Sequence, residues 1–309
     1  IWESILKPKS EPLNEEKIQN RLANRFFDLM LYFNIFIVFS ILIMGIGQLT
    51  SQSLLVHERI GLVLSVGIVL GTNGLNVAHE LGHRKSRFDR FLAKSLLLSS
   101  LYMHFIIEHN RGHHKNVATP QDPATARLDE PVYFFWFRSI IGTFISAWKI
   151  EQGLQKKKHG STFTFYNEMI QLISIESLFL LSIYLLFGWI GLIGFLTSSI
   201  IGIILLETVN YIEHYGLIRK QHQNGMYERV QPWHSWNSDF PIGRIILFEL
   251  TRHSDHHYKA SKKYHTLQHL EESPQLPTGY PGMMLLSLIP PLWFKIVNPK
   301  LKRLNQSSQ

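Results

Sequence analysis

The apolar positions of this chain gather into long runs separated by polar, histidine-rich text. Residues 28–49, DLMLYFNIFIVFSILIMGIGQL, form the first run. A helix needs about 20 apolar residues to cross about 30 Å of hydrocarbon, so a spanning helix is predicted over 28–49. After the loop TSQSLLVHER, residues 60–78, IGLVLSVGIVLGTNGLNVA, predict a second span. It is rich in the small residues that let membrane helices approach closely. Residues 170–211 stay mostly apolar, with a break at Phe187–Gly188. That length predicts two further spans, 170–187 and 189–211, joined by a tight turn.

The remaining runs are weaker. Residues 91–107 contain Lys94 and His104 and predict a partly embedded or buried helix. Residues 132–148 are aromatic-rich and interrupted by Arg138, which predicts an interfacial helix. Residues 1–27, with Pro8 and Pro12, read as a polar surface segment. Residues 212–309 are mostly polar, with short apolar helices near 242–250 and 282–297. No fixed-period repeat or low-complexity stretch interrupts the pattern. The expected fold is all-α and integral to a membrane, as one domain over 1–309.

Charge orients these spans. Four spans leave both ends on one side, where the loops carry Lys7, Lys9, Lys17, Arg21, Arg25, Arg84, Lys85, Arg87, Arg90, Lys156, Lys157 and Lys158. The opposite loops carry Arg59 and little else. The positive-inside rule therefore places the termini and the long middle segment in the cytoplasm. The net charge of +8 is read the same way, as topology charge. No nucleic-acid-binding motif organises it, so no nucleic-acid partner is expected.

Composition narrows the chemistry. Charged residues make up 17% of the chain, below the roughly 25% usual in soluble domains. Cysteine is absent, which excludes disulfides, thiolate zinc fingers, Fe–S ligation and a cysteine nucleophile. Histidine occurs 16 times, so imidazole and carboxylate are the ligands left for a transition metal.

Nine of these histidines fall in four groups beside apolar helices. "NVAHELGHRK" (76–85) places His79, Glu80 and His83 at HExxH spacing. "EHNRGHH" supplies His109, His113 and His114, "NYIEHYG" supplies His214, and "RHSDHH" supplies His253, His256 and His257. HExxH alone also fits a zinc protease, with the Glu as base and one further ligand. That reading leaves six grouped histidines unexplained, because one zinc saturates at about four ligands. Nine imidazoles suit two metal ions, and Fe, Cu or Zn all accept such donors. Only a redox metal can use O₂, and a membrane position suggests an apolar substrate, so a diiron oxygenase is favoured over a protease. Glu80, Glu108, Glu213 and Asp255 adjoin the groups, and Asp122 lies in the Pro-flanked "ATPQDPATAR". These carboxylates are expected to receive the outer N–H of metal-bound imidazoles. His57, His104, His159, His222, His234, His265 and His269 lie outside the groups and are read as non-ligands; His234 in "QPWHSWNS" is the first to reconsider.

HELGHRK (79–85), EHNRGHHKNVATPQDPATAR (108–127), NYIEHYGL (210–217) and LTRHSDHH (250–257) resemble the signatures of the membrane-bound alkane 1-monooxygenases. These belong to the integral-membrane fatty acid desaturase/hydroxylase superfamily. Similarity continues through "HSWNSDF" (234–240) and "LPTGYPGMM" (276–284) and covers the chain from about residue 20. The resemblance implies a desaturase-like fold, in which a cytoplasmic histidine-rich helical cap holds a dimetal site. It implies two non-haem irons held by His79, His83, His109, His113, His114, His214, His253, His256 and His257. It further implies terminal hydroxylation of n-alkanes with O₂, in a bacterial inner membrane. Electrons would come from rubredoxin, reduced by rubredoxin reductase with NAD(P)H. The basic Lys156–Lys158 surface would attract that small acidic donor. The family typically has six spans, two of them before the region that starts here, so the sequence is expected to be truncated at its N-terminus.

Overall fold

The computed structural model describes residues 12–307. Residues 1–11, which include Lys7, Pro8 and Lys9 of the segment read as surface, lie outside the described residues. The regular secondary structure of the described residues is helical, with isolated bridges at Gln221–Tyr227 and Asn237–Gln275. We number the helices α1 (Glu15–Ala23), α2 (Phe26–Leu49), α3 (Val56–Gly82), α4 (Arg87–Leu98) and α5 (105–116), followed by α6 (Val132–His159) and α7 (Glu168–His214). The C-terminal part adds α8 (Pro241–Ile246), α9 (His253–Tyr258), α10 (Tyr280–Ser287) and α11 (Pro290–Ser307). Two compact units share these elements. A span unit comprises Phe26–Arg111 and Thr143–Leu206; a histidine-rich unit takes Gly112–Gly142, the chain from Glu207 onward and the segment up to Arg25.

Three helices, α2, α3 and α7, are long and apolar enough to cross a membrane, which makes this an integral membrane protein. On α2, Leu31, Asn34, Val38, Leu42, Ile46 and Leu49 are buried at three- and four-residue spacing. Its other faces expose Phe33, Phe36 and Met44. A helix that is apolar all round but buried along one stripe is suited to lipid on the rest of its surface. Straight, the 47 residues of α7 would run about 70 Å, more than twice the hydrocarbon thickness. Gly188 breaks it with φ 63° and ψ −165°, a conformation open to glycine and costly for residues with a Cβ.

Within the span unit, α3 and α7 approach closely at glycines. A Cβ on Gly67 would come within 2.7 Å of Ile201 and 2.9 Å of the Ser198 carbonyl oxygen. Gly71 lies against Gly202 in the same way. The buried Asn34 accepts a hydrogen bond from Asn73 at 2.7 Å, tying α2 to α3 inside the apolar region. At the ends of these helices the ties become ionic: Asp28 of α2 pairs with Arg84 at 2.7 Å.

The run 91–107 is not one helix. α4 stops at Leu98, and Ser99 Oγ donates to the Leu96 carbonyl at 2.6 Å. A serine bonded back to its own backbone competes with helix propagation. The chain then turns through Leu101, at φ 53°, before α5 starts.

The histidine-rich unit has its own core. Phe135 of α6, Tyr211, Tyr215, Trp236, Tyr280 and Trp293 are buried together. Two of their polar atoms are satisfied internally, as burial favours. Tyr211 OH donates to the Glu130 carbonyl at 2.6 Å, and Trp236 Nε1 donates to the Tyr215 carbonyl at 2.9 Å.

Candidate metal centre

In the span unit the last turns of α3 carry HELGH. Just before them, over Leu70–Leu75, the helix widens so that the Asn76 N–H reaches back to the Gly71 carbonyl, five residues away. Such π turns concentrate at functional positions. Regular helix resumes over Asn76–Gly82, and the i,i+4 spacing puts His79 and His83 side by side, ring centroids 5.1 Å apart. His109 of α5 joins them, its Nε2 3.0 Å from His83 Nε2 and its ring 4.3 Å from that of His79. The ligand atoms of these three imidazoles lie within 4.8 Å of one another.

The histidine-rich unit holds a fully buried tetrad: His113 from α5, His214 from the end of α7, and His253 and His257 from α9. Again all four ligand atoms lie within 4.8 Å of one another. His113 Nε2 faces His257 Nε2 at 3.3 Å, and His253 Nε2 faces His214 Nε2 at 3.1 Å. His114 and His256 stand beside this tetrad with ring centroids 5.0 Å apart.

These separations fit metal coordination. A metal–nitrogen bond of about 2.1 Å sets neighbouring ligand nitrogens about 3.0 Å apart at right angles and about 3.4 Å apart in a tetrahedron. The Nε2 pairs at 3.0, 3.1 and 3.3 Å fall within that window. The donor set is all imidazole, which suits Zn, Cu or Fe. Burial, reinforced by the neighbouring imidazoles His114, His253, His113 and His214, pushes the His257 ring far below its ordinary pKa. It is therefore neutral, the form a metal binds. Both units thus carry a buried histidine cluster that could hold a metal.

The five carboxylates take different places. Asp122 Oδ2 accepts from His113 Nδ1 at 2.9 Å and from Thr125 Oγ1 at 2.6 Å, while Oδ1 accepts from the Ala124 N–H at 3.0 Å. Burial works to raise the Asp122 carboxyl, but His113 and Thr125 outweigh it and hold it below its ordinary range. The bond fixes the proton of His113 on Nδ1 and leaves Nε2 to face the tetrad. Glu213 lies closer in: Oε1 accepts from Tyr280 OH at 2.7 Å, and Oε2 is 3.2 Å from His253 Nε2. Asp255 accepts from Lys262 Nζ at 2.6 Å and the Gln268 N–H at 2.9 Å, which anchors α9 to the following loop. Glu80 pairs with Arg84 at 3.3 Å, and Glu108 accepts from Ser146 Oγ at 3.2 Å.

Thr125, Tyr280 and Lys262 are contributors that residue type did not reveal. Tyr280 lies in LPTGYPGMM and Thr125 in the Asp122 loop; both stretches stand out as text but give no clue to role. His234 is buried but engaged elsewhere, accepting from the Gln231 N–H at 3.0 Å and lying 3.3 Å from Glu228.

The fold and site define an all-helical integral-membrane protein with buried multi-histidine metal clusters. Residues 59–287 match the fatty acid desaturase family. Alkane 1-monooxygenase 2 of Pseudomonas aeruginosa is 44% identical over 244 residues, 79% of this chain and 65% of that protein. The alkane 1-monooxygenase of Ectopseudomonas oleovorans is 39% identical over 287 residues, 93% of this chain and 71% of that one. Alkane 1-monooxygenase 1 of Alcanivorax borkumensis is 41% identical over 272 residues, 88% of this chain and 67% of that one. The chain belongs to the alkane 1-monooxygenases of the fatty acid desaturase family. It spans about 65% of the length of the first of these relatives.

Proposed function

We propose that this protein is a non-haem diiron monooxygenase that hydroxylates the terminal methyl group of n-alkanes. The reaction is R–CH₃ + O₂ + 2 e⁻ + 2 H⁺ → R–CH₂OH + H₂O, with electrons from rubredoxin, its reductase and NAD(P)H. The observation that carries this reading is the pair of buried all-imidazole clusters in a chain with alkane 1-monooxygenase relatives. His113, His214, His253 and His257 would hold one iron. His79, His83 and His109 would contribute to holding the other. Two irons so bound supply the O₂ activation that protein side chains lack.

The chain's own residues do the rest. Asp122 fixes the tautomer of His113, and Tyr280 restrains Glu213 beside His253. An alkane partitions into the bilayer, and the apolar side chains of α2, α3 and α7 are suited to receive it there. The family match runs through both units, which supports a single catalytic domain with its histidine face on the cytoplasmic side. That match also favours a second reading, an acyl desaturase with the same donor set.

The deciding experiment is the metal content of the detergent-purified protein, coupled to octane and hexadecane turnover with rubredoxin, its reductase and NADH. About two irons and 1-alkanol product are expected. One zinc per chain would overturn the diiron assignment. Two irons with desaturated acyl product and no alcohol would support the desaturase.

A further inference from the structure

A concave site lies in the span unit beside the histidine trio, with His83 in its lining. It is a recess of about 620 Å³ toward which Arg84, Lys85, Arg87, Arg90, Lys94 and Arg111 converge. Gly82, His83, Ile106 and Asn110 also line it, and Phe91 contributes an apolar wall. Glu168 is the one carboxylate in its lining.

Part of this charge is neutralised in place. Lys94 pairs with Glu168 at 2.7 Å, Arg111 with Glu151 at 3.2 Å, and Arg84 with Asp28 at 2.7 Å. Among the described residues no carboxylate pairs with Lys85, Arg87 or Arg90. Three cations therefore line one recess without a carboxylate partner among the described residues.

The position of the recess is fixed by the same ion pairs. Asp28 opens α2, Arg84 lies two residues past α3, and Glu168 opens α7. The Asp28–Arg84 pair ties the polar ends of α2 and α3, and Glu168 at the start of α7 pairs with Lys94 and Arg111, all where the apolar runs stop. A recess there sits at the depth of lipid headgroups. α4 borders it with Arg87, Phe91 and Lys94, spaced i, i+4 and i+7 and hence on one helical face. Phe88 and Phe91 are 56% and 65% exposed. Bulky aromatics beside arginines suit a boundary between acyl chain and headgroup.

We propose that this recess binds the phosphodiester headgroup of an anionic phospholipid. Arginine recognises phosphate oxygens through paired N–H donors, and the volume is that of a small-molecule site. A globular acidic protein would present a convex face, which a recess of this size does not admit.

The test uses the full chain, purified and delipidated in detergent. Dioctanoyl phosphatidylglycerol, dioctanoyl phosphatidylcholine and inorganic phosphate are titrated separately, with affinity read by calorimetry. The phosphatidylglycerol is expected to bind at least about tenfold more tightly than either of the others. The double substitution Arg87→Gln and Arg90→Gln, on exposed positions, is expected to abolish that preference. Replacing Lys156, Lys157 and Lys158 with Gln is expected to leave it intact. Equal affinity for the two lipids overturns the proposal, as does an unaltered preference in the arginine double variant. Phosphate binding as tightly as the glycerophospholipid would make this a free-anion site. If the double variant weakens only binding of rubredoxin, the surface serves protein docking instead.

Discussion

The histidine trio of the span unit and the tetrad of the other unit use the same ligand and are built in opposite ways. Two members of the trio, His79 and His83, come from one helix at i,i+4, so most of its geometry is local. His83 keeps partial contact with solvent. The tetrad takes His113, His214 and the pair His253/His257 from three separate segments, and all four are buried. It is braced by Asp122 and Glu213, which Thr125 and Tyr280 hold in turn. A site assembled from distant segments depends on the packing of the whole unit. A site on one helix depends chiefly on that helix.

Removing a tetrad imidazole should give the largest effect. His257→Ala is expected to lower turnover by more than about 100-fold, beyond the 10- to 100-fold typical of losing an outer partner. It should also lower metal content by about one equivalent, measured by elemental analysis. If metal content were unchanged, the tetrad would not be a metal site.

Asp122→Asn tests the bracing. It leaves every imidazole in place but removes the carboxylate that fixes His113. Metal affinity is expected to fall by about 10- to 100-fold, measured by chelator competition. An unchanged affinity would make the His113–Asp122 contact structural only.

Gly67→Val probes the span unit alone. The added side chain meets Ile201 and the Ser198 backbone, and overpacking of this kind costs about 1–3 kcal/mol. Thermal unfolding should shift downward while the tetrad keeps its metal. Loss of metal together with stability would show that the two regions are less independent than their construction suggests.

The smallest effect is on pH dependence. Burial holds His104 in the span unit and His234 in the other at about 4, against an ordinary 6.5. Below about 6.5 the unfolded chain takes up protons that the folded chain refuses until about 4. Stability is therefore intact above that range and falls as pH drops through it. For the buried His104 the slope is at most about 1.4 kcal/mol per pH unit. His104→Gln should flatten the fall in melting temperature between pH 6.5 and 4 relative to the parent protein. An identical slope would show that His104 does not carry this dependence.

Much of this molecule could be read along the chain because the relevant physics is local. Run length and apolarity identify α2, α3 and α7 as membrane-crossing helices whatever they pack against. The absence of cysteine and the abundance of histidine restrict metal chemistry to imidazole and carboxylate. HExxH places His79 beside His83 because 3.6 residues make a turn.

The grouping of imidazoles in space follows a different logic. His113 and His114 are neighbours in sequence, and so are His256 and His257. Successive residues on a helix point about 100° apart, so His113 and His257 join the tetrad while His114 and His256 do not. The sequence groups are thus dealt out between spatial ones. Asp122, Glu213 and Asp255 looked equivalent as carboxylates near histidines. Only the fold shows that Asp122 holds an imidazole, Glu213 approaches a ligand nitrogen and Asp255 anchors a loop. By itself the sequence determined the long apolar helices, the membrane setting and the kind of ligand, because these follow from residue type and short-range period. The tertiary structure alone decided which imidazoles meet and what braces them, because those contacts join residues as far as 144 positions apart.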